Sequence, residues 1–202
     1  DRAHPVQLAV ADVAARLEEA SLVLIEAPTG GGKTEMAFIA AEALAARFGL
    51  RGAAIVLPTR ATANAMFGRV LAWLRAGEPG DVPLAVSLAH AQAQFDEQFR
   101  ALFGREHHQP SHTYDEDRID SKDRSAVVVN QWCNGRKRSV FADFVVGTID
   151  QLLFMTLKAK HTTLRHLGFG GKVVIIDEIH AADDFMRTYL FRALQWLGAY
   201  GV

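Results

Sequence analysis

The chain has 202 residues, half of them hydrophobic, which suits one domain of α/β size with a substantial core. Its formal net charge of −1 gives no global basis for a nucleic-acid partner, so any such site must be a local patch. One cysteine, Cys133, excludes an internal disulfide and a thiolate metal cluster, and no apolar run approaches the ~20 residues of a membrane span.

The chain begins at Asp1 rather than Met, which predicts a segment of a longer protein. Its first element is a helix. Pro5 suits a helix start, and apolar residues recur at helical spacing from Val6 to Leu17. Two readings of Gln7 are open: an amide that reads an adenine edge, or a solvated residue of the helix start. From Leu22 the sequence runs LVLIEAPTGGGKT and then MAFIAAEALAARF. This predicts a buried apolar strand, a glycine-rich turn, and a helix ending near Phe48 with Gly49 as its cap. Strand, loop and helix in that order are the setting of a phosphate-binding P-loop. Gly30, Gly31 and Gly32 lack a Cβ, so the backbone can approach a phosphate closely. Their N–H groups, with those of Lys33 and Thr34, converge on an anion at the positive end of the helix, and Thr29 belongs to the same loop. Lys33 is expected to reach the β- and γ-phosphates of ATP, and the Thr34 hydroxyl to ligate Mg²⁺. The general pattern opens with Gly six residues before the Lys, where this chain has Ala27.

Residues 53–57 (AAIVL) predict a second strand, and 59–75 a helix with Ala63, Met66, Phe67, Val70, Leu71 and Leu74 inward. A second strand–loop–helix unit points to an α/β fold with a mainly parallel sheet and crossover helices. Thr59, Arg60, Thr62 and Asn64 gather at the strand's C-terminal end, the edge where open α/β sheets bind ligands. They suit phosphodiester oxygens, or Thr59 and Thr62 simply cap the helix beside a solvated Arg. Residues 83–90 predict a third strand ending at His90, which reads either as a satisfied structural residue or as a ligand. A short helix is expected over 92–103. Residues 104–125 lack apolar periodicity and predict a mobile polar insertion; its His107, His108, His112 and Asp115 match no strong metal-ligand spacing.

Residues 126–133 return to apolar character, and 135–138 (GRKR) form the densest basic run. That run is a solvated patch or, beside Trp132, a small nucleic-acid contact through Arg136 and Arg138. Residues 144–146 predict a strand. Gly147, Thr148, Ile149, Asp150 and Gln151 then turn into the helix LLFMTLK, where a Gly-Thr turn offers donors to a phosphate. KVVII at 172–176 is almost wholly apolar, as central parallel strands are. It delivers Asp177, Glu178, Ile179 and His180. Asp177 is placed to hold Mg²⁺, directly or through water, and Glu178 to orient and deprotonate the attacking water; the plainer reading is a helix N-cap. His180 is a candidate for coupling the nucleotide to neighbouring motifs. An amphipathic helix is expected over 183–197.

APTGGGKTE, LPTRATANAMF, GTIDQLL and DEIHAAD stand in the order of motifs I, Ia, Ib and II of superfamily-two helicases. The longer strings LPTRATANAMFGRV and GRKRSVFADFVVGTIDQLLF, with DEIHAAD before an aromatic-rich helix, resemble the helicase portion of the type I CRISPR-associated helicase-nuclease over Gln7–Leu197. The resemblance implies a three-layer RecA-like P-loop NTPase domain across 1–202, the first of two, truncated before a Ser-Ala-Thr motif and the second RecA-like domain. No HD nuclease signature is present. It further implies ATP and Mg²⁺ on Lys33, Thr34, Asp177 and Glu178, and single-stranded DNA on Thr59, Arg60, Thr148, Asp150 and Gln151. The family's activity is an ATP-driven 3′-to-5′ pull on a displaced DNA strand after recruitment by an RNA-guided surveillance complex. An HD nuclease domain, in the same or a partner chain, degrades that strand. A cytoplasmic location without a membrane follows. Related helicases draw an arginine finger from the second domain, so this segment alone is expected to bind nucleotide weakly and turn it over poorly. The residues by themselves leave open another DExH-type helicase for DNA repair or RNA, or a non-catalytic binding module.

Overall fold

Short runs of aliphatic residues pair in parallel to make the sheet. The computed structural model describes residues 5–28, 30–77, 84–90, 127–128, 138–158, 161–181 and 183–202. The strands are β1 (Ala53–Leu57), β2 (Leu84–Ala89), β3 (Val127–Val128), β4 (Phe144–Thr148) and β5 (Val173–Ile176), in the spatial order β3-β2-β4-β1-β5. Every pairing is parallel; Ala53 of β1 stands beside Phe144 on one side and Val173 on the other. Helices α1 (Pro5–Arg16), α2 (Lys33–Phe48), α3 (Arg60–Ala76), α4 (Ile149–Leu153), α5 (Thr162–Phe169) and α6 (Asp184–Ala199) complete the described elements, with 3₁₀ turns at Ser139–Phe141 and Ile179–Ala181.

All five residues of β1 are buried, because both faces of the strand are covered. Ile55 and Leu57 pack with Phe38 of α2 and Met66, Phe67 and Val70 of α3. Ala54 and Val56 pack on the opposite face with Val145, Ile149, Leu152, Leu190 and Leu197. Each fully buried aliphatic side chain contributes about 1.5–3 kcal/mol relative to exposure, so this doubly covered strand anchors the expected three-layer α/β/α arrangement.

Leu22–Ala27 departs from expectation by staying outside the ladder. Its residues alternate between exposed and half-buried, with Leu22 75% and Leu24 71% exposed, the pattern of an extended segment with one face outward. Apolar composition predicted a buried strand, but a strand needs a neighbour for its N–H and C=O groups, and among the described residues none pairs with it. The predicted central strand β5 likewise lies at an edge of the described sheet, where Val173 is buried and the other three residues are half-buried. The helix expected over 152–158 instead starts at Ile149 and stops at Leu153. Met155 and Thr156 donate to the carbonyls of Leu152 and Leu153, three residues back, which tightens and ends the turn. Helix α5 was not anticipated from the sequence.

The expected helix at 92–103, the polar stretch 104–125 with its histidines, Trp132, Cys133, Thr29 and Arg136 lie outside the described residues. Among the described residues, no helix is long and apolar enough to cross a membrane.

Candidate functional site

Parallel pairing brings the C-terminal ends of β1, β2, β4 and β5 to one edge. The segments leaving those ends carry Thr59–Asn64, His90, Asp150–Gln151 and Asp177–His180. Helix α2 packs against α1 and β5, so the helix behind the glycine loop rests on the strand that delivers the acids.

The loop is built by backbone freedom. Gly30 and Gly32 have φ of 79° and 74°, in the left-handed region that side chains disfavour, and a Cβ on Gly31 would lie 3.0 Å from the Pro28 carbonyl oxygen. Gly32 caps α2 without a side chain, which leaves the positive end of a 16-residue helix facing the loop. The Lys33 ammonium folds back and donates to the carbonyl oxygens of Ala27 at 2.7 Å and Pro28 at 3.3 Å. At Ala27, where the general pattern has Gly, it is thus the main-chain oxygen that serves the lysine. Gln7, half-buried on α1, brings its amide nitrogen to 4.0 Å from where a Gly32 Cβ would stand, so it lies over the loop.

Thr34 Oγ1 accepts a hydrogen bond from Arg69 Nη1 of α3 at 3.0 Å, while Arg69 Nη2 donates to Glu35 Oε1 at 2.5 Å. The hydrogen bond from its own backbone N–H, aided by Arg69 and opposed by partial burial, holds the Glu35 carboxyl below the usual carboxylate range.

At the end of β5, the Asp177 N–H donates to the Val56 carbonyl at 3.0 Å and extends the ladder by one residue. Its Oδ1 accepts the Glu178 N–H at 2.9 Å, and Glu178 takes the left-handed conformation at φ 55°. The turn presents the Glu178 carboxylate 52% exposed, 3.5 Å from His180 Nε2. A hydroxyl and a carboxylate are hard oxygen donors that fit Mg²⁺, which retains waters and phosphate oxygens as further ligands. Among the described residues, no group of three or more His, Cys, Asp or Glu forms an all-protein cage.

The other candidates divide by what already holds them. Thr59 and Thr62 form a reciprocal cap at the start of α3: Thr59 Oγ1 accepts the Thr62 N–H at 3.2 Å, and Thr62 Oγ1 accepts the Thr59 N–H at 3.3 Å. The capping reading of these hydroxyls therefore holds, and exposed Arg60 follows them. Asn64 Oδ1 lies 2.6 Å from Nε2 of His90, whose ring is buried; His90 is thus a satisfied structural residue. Asn64→Ala is expected to lower stability by about 1–2 kcal/mol in the absence of any nucleic acid, the cost of removing a partner from a buried polar group. A denaturant melt unchanged from the parent protein would remove this structural role.

Thr148 is buried and makes no capping bond to α4, whereas Asp150 is exposed. Gln151 Oε1 accepts from Arg165 Nη1 at 2.7 Å, and that guanidinium sits 4.9 Å from the Phe154 ring centre; burial pushes it below its ordinary pKa. Arg138 is exposed at the start of the first 3₁₀ turn. Sequence reading missed Arg69 and Arg165, whose partners lie on other helices and have no local signature. A cleft of about 400 Å³ lined by Gly49, Arg51, Asp143, Gly171 and Lys172 holds no candidate residue. These residues precede the strands, so the cleft lies at the opposite edge.

A DEAD/DEAH box helicase family model matches residues 4–197. The chain is 39% identical over 198 residues to the CRISPR-associated nuclease/helicase Cas3 of Streptococcus thermophilus, an alignment covering 97% of this chain and 20% of that protein. It resembles the crystal structure of T. fusca Cas3-ATP at 32% identity and a TM-score of 0.79, covering 100% of this chain and 20% of that one. It also resembles a chain in a CRISPR RNA-guided surveillance complex, pre-nicking, at 30% identity and a TM-score of 0.62, covering 99% and 17%. The chain thus spans about a fifth of the length of the relatives it matches. With the glycine loop, the strand-end acids and the parallel sheet all falling within the matched span, the chain belongs to the DEAD/DEAH box helicase family, with homologues among the CRISPR-associated nuclease/helicases.

Proposed function

We propose that this chain is the ATP-hydrolysing motor segment of a CRISPR-associated nuclease/helicase, coupling ATP turnover to 3′-to-5′ movement on single-stranded DNA. The observation that carries this reading is the glycine loop: a helix start without a side-chain cap, behind it a lysine held on the loop's own carbonyls. Those bonds are ones that phosphate oxygens can replace.

In this reading the N–H groups of Gly30–Thr34 cradle the phosphates beside Thr29, and Lys33 moves from the Ala27 and Pro28 carbonyls to the β- and γ-oxygens. Gln7, lying over Gly32, reads the adenine. Thr34 and Asp177 hold Mg²⁺, which when bound neutralises charge on the β- and γ-phosphates. Glu178 accepts a proton from the attacking water, and His180 beside it relays the nucleotide state. The DNA path runs along Thr59, Arg60, Thr62, Asn64, Arg136, Arg138, Thr148, Asp150 and Gln151. Thr59 and Thr62 serve it by fixing the first turn of α3 so that Arg60 faces outward. Asn64, tied to His90, and Gln151, tied to Arg165, brace the edge. The relatives' names, a nuclease/helicase and a chain in an RNA-guided surveillance complex, support a nuclease partner in the same or another chain and recruitment by such a complex. An HD fold for that nuclease and work in the cytoplasm belong to the same proposal.

ATP hydrolysis by the full-length protein, with single-stranded DNA or RNA of equal length added, tests the assignment. Stimulation by DNA and not by RNA is expected. Equal stimulation by RNA would make this an RNA-remodelling helicase. Tight nucleotide binding with no turnover under any condition would make it a binding module.

A further inference from the structure

A side chain that motif reading passes over ties the helix behind the glycine loop to the helix bearing Thr59–Asn64. Arg69 lies nine residues into α3 from Arg60 and reaches the first turn of α2. There its two terminal nitrogens divide between Thr34 Oγ1 at 3.0 Å and Glu35 Oε1 at 2.5 Å. The first acceptor is the hydroxyl assigned to Mg²⁺. A hydroxyl oxygen has two lone pairs. A guanidinium on one and a dication on the other would put like charges on neighbouring positions of a single atom, which is repulsive. Glu35 offers Arg69 a second acceptor one residue along, so the guanidinium can leave Thr34 without becoming unpaired. The inner face of α3 is locked into the core by Ala63, Met66, Phe67 and Val70, each no more than 4% exposed. A change at Arg69 is therefore carried by a packed, rigid element rather than dissipated in a loop. The same helix starts at the Thr59–Thr62 cap and bears Asn64.

We propose that Arg69 is a positioning residue that reports the metal–nucleotide state: it holds Thr34 when Mg²⁺ and nucleotide are absent, retreats to Glu35 when they bind, and passes the change along α3 to the nucleic-acid edge. This rests on the ATPase reading above. The test uses full-length protein and three variants: Arg69→Met, which keeps length and removes charge; Arg69→Lys, which keeps charge and loses the fork; and Glu35→Gln, which weakens the second acceptor. Two quantities are measured by fluorescence titration. One is the Mg²⁺ concentration that half-saturates binding of a non-hydrolysable ATP analogue. The other is the ratio of single-stranded DNA affinities with and without that analogue. Arg69→Met should lower the first about fivefold and bring the second close to one, the size of ordinary coupling between sites. Arg69→Lys should fall between Arg69→Met and the parent protein. Glu35→Gln should act in the opposite sense on the first, because Arg69 is then kept on Thr34; this variant still decides the matter if Arg69→Met does not fold. Unchanged Mg²⁺ dependence and unchanged ratio in Arg69→Met, whatever its melting temperature, would leave Arg69 a merely structural tie and overturn the inference alone. Failure of the parent protein to bind the analogue at all would overturn the ATPase reading with it.

Discussion

Glu178→Gln is expected to bind ATP and Mg²⁺ as the parent protein does and to hydrolyse it about 10²–10⁴-fold more slowly, the usual contribution of a positioned general base. The reasoning is local. Gln has nearly the shape of Glu, and the Asp177–Glu178 hydrogen bond uses the main-chain N–H of residue 178, so the turn survives the change. What disappears is a carboxylate able to accept a proton. The side chain is half exposed, so the change removes little buried surface from the strand end. A second variant separates chemistry from stability. Glu178 stands at φ 55°, a conformation that costs a residue with a Cβ about 1–2 kcal/mol. Glu178→Gly relieves that strain and should be as inactive as Glu178→Gln while melting at a higher temperature. Single-turnover hydrolysis, nucleotide titration and thermal melts together check the pair. If Glu178→Gln hydrolyses ATP at the parent rate, the acid belongs to the turn and not to the reaction.

Most of this arrangement is legible in the sequence because much of it is dictated locally. GGGKT needs glycines for left-handed backbone, and two of its three glycines have it. Helix boundaries follow their punctuation: Gly49 in the left-handed conformation after Phe48, Thr59 before α3, Asp183 before α6 with its carboxylate on the Met186 N–H. What composition cannot specify is who pairs with whom. Leu22–Ala27 and β5 are both apolar enough for a sheet interior, yet among the described residues the first finds no ladder partner and the second lies at an edge. The threonines of the second strand–helix turn show another limit. Short hydroxyls serve a helix cap and a phosphate equally well, and the reciprocal bonds that make Thr59 and Thr62 a cap appear only once geometry is known. Arg69 and Arg165 show a third. An arginine on a helix resembles a solvated charge until the helix is docked; one then meets Thr34 and Glu35, the other Gln151 and the face of Phe154.

Lys33→Ala should weaken ATP binding by about 10- to 100-fold and leave the fold nearly as stable as before. Hydrogen bonds to charged groups are worth about 1.5–3 kcal/mol each, and ~1.4 kcal/mol is a factor of ten in affinity, so losing one ammonium–phosphate contact spans that range. The stability side is smaller because the present partners of Lys33 are two carbonyls of a loop within reach of water, which can replace the ammonium. Lys33→Arg tests whether charge alone suffices. A planar guanidinium is not a compact ammonium, and a cradle shaped by Gly30–Gly32 around a point donor should recover only part of the affinity. Calorimetric titration with ATP, alongside thermal melts of both variants, reads the two effects separately. Should Lys33→Ala bind ATP as tightly as the parent protein, the bonds to Ala27 and Pro28 are the lysine's whole role, the glycine turn is only a turn, and the motor assignment of this domain falls.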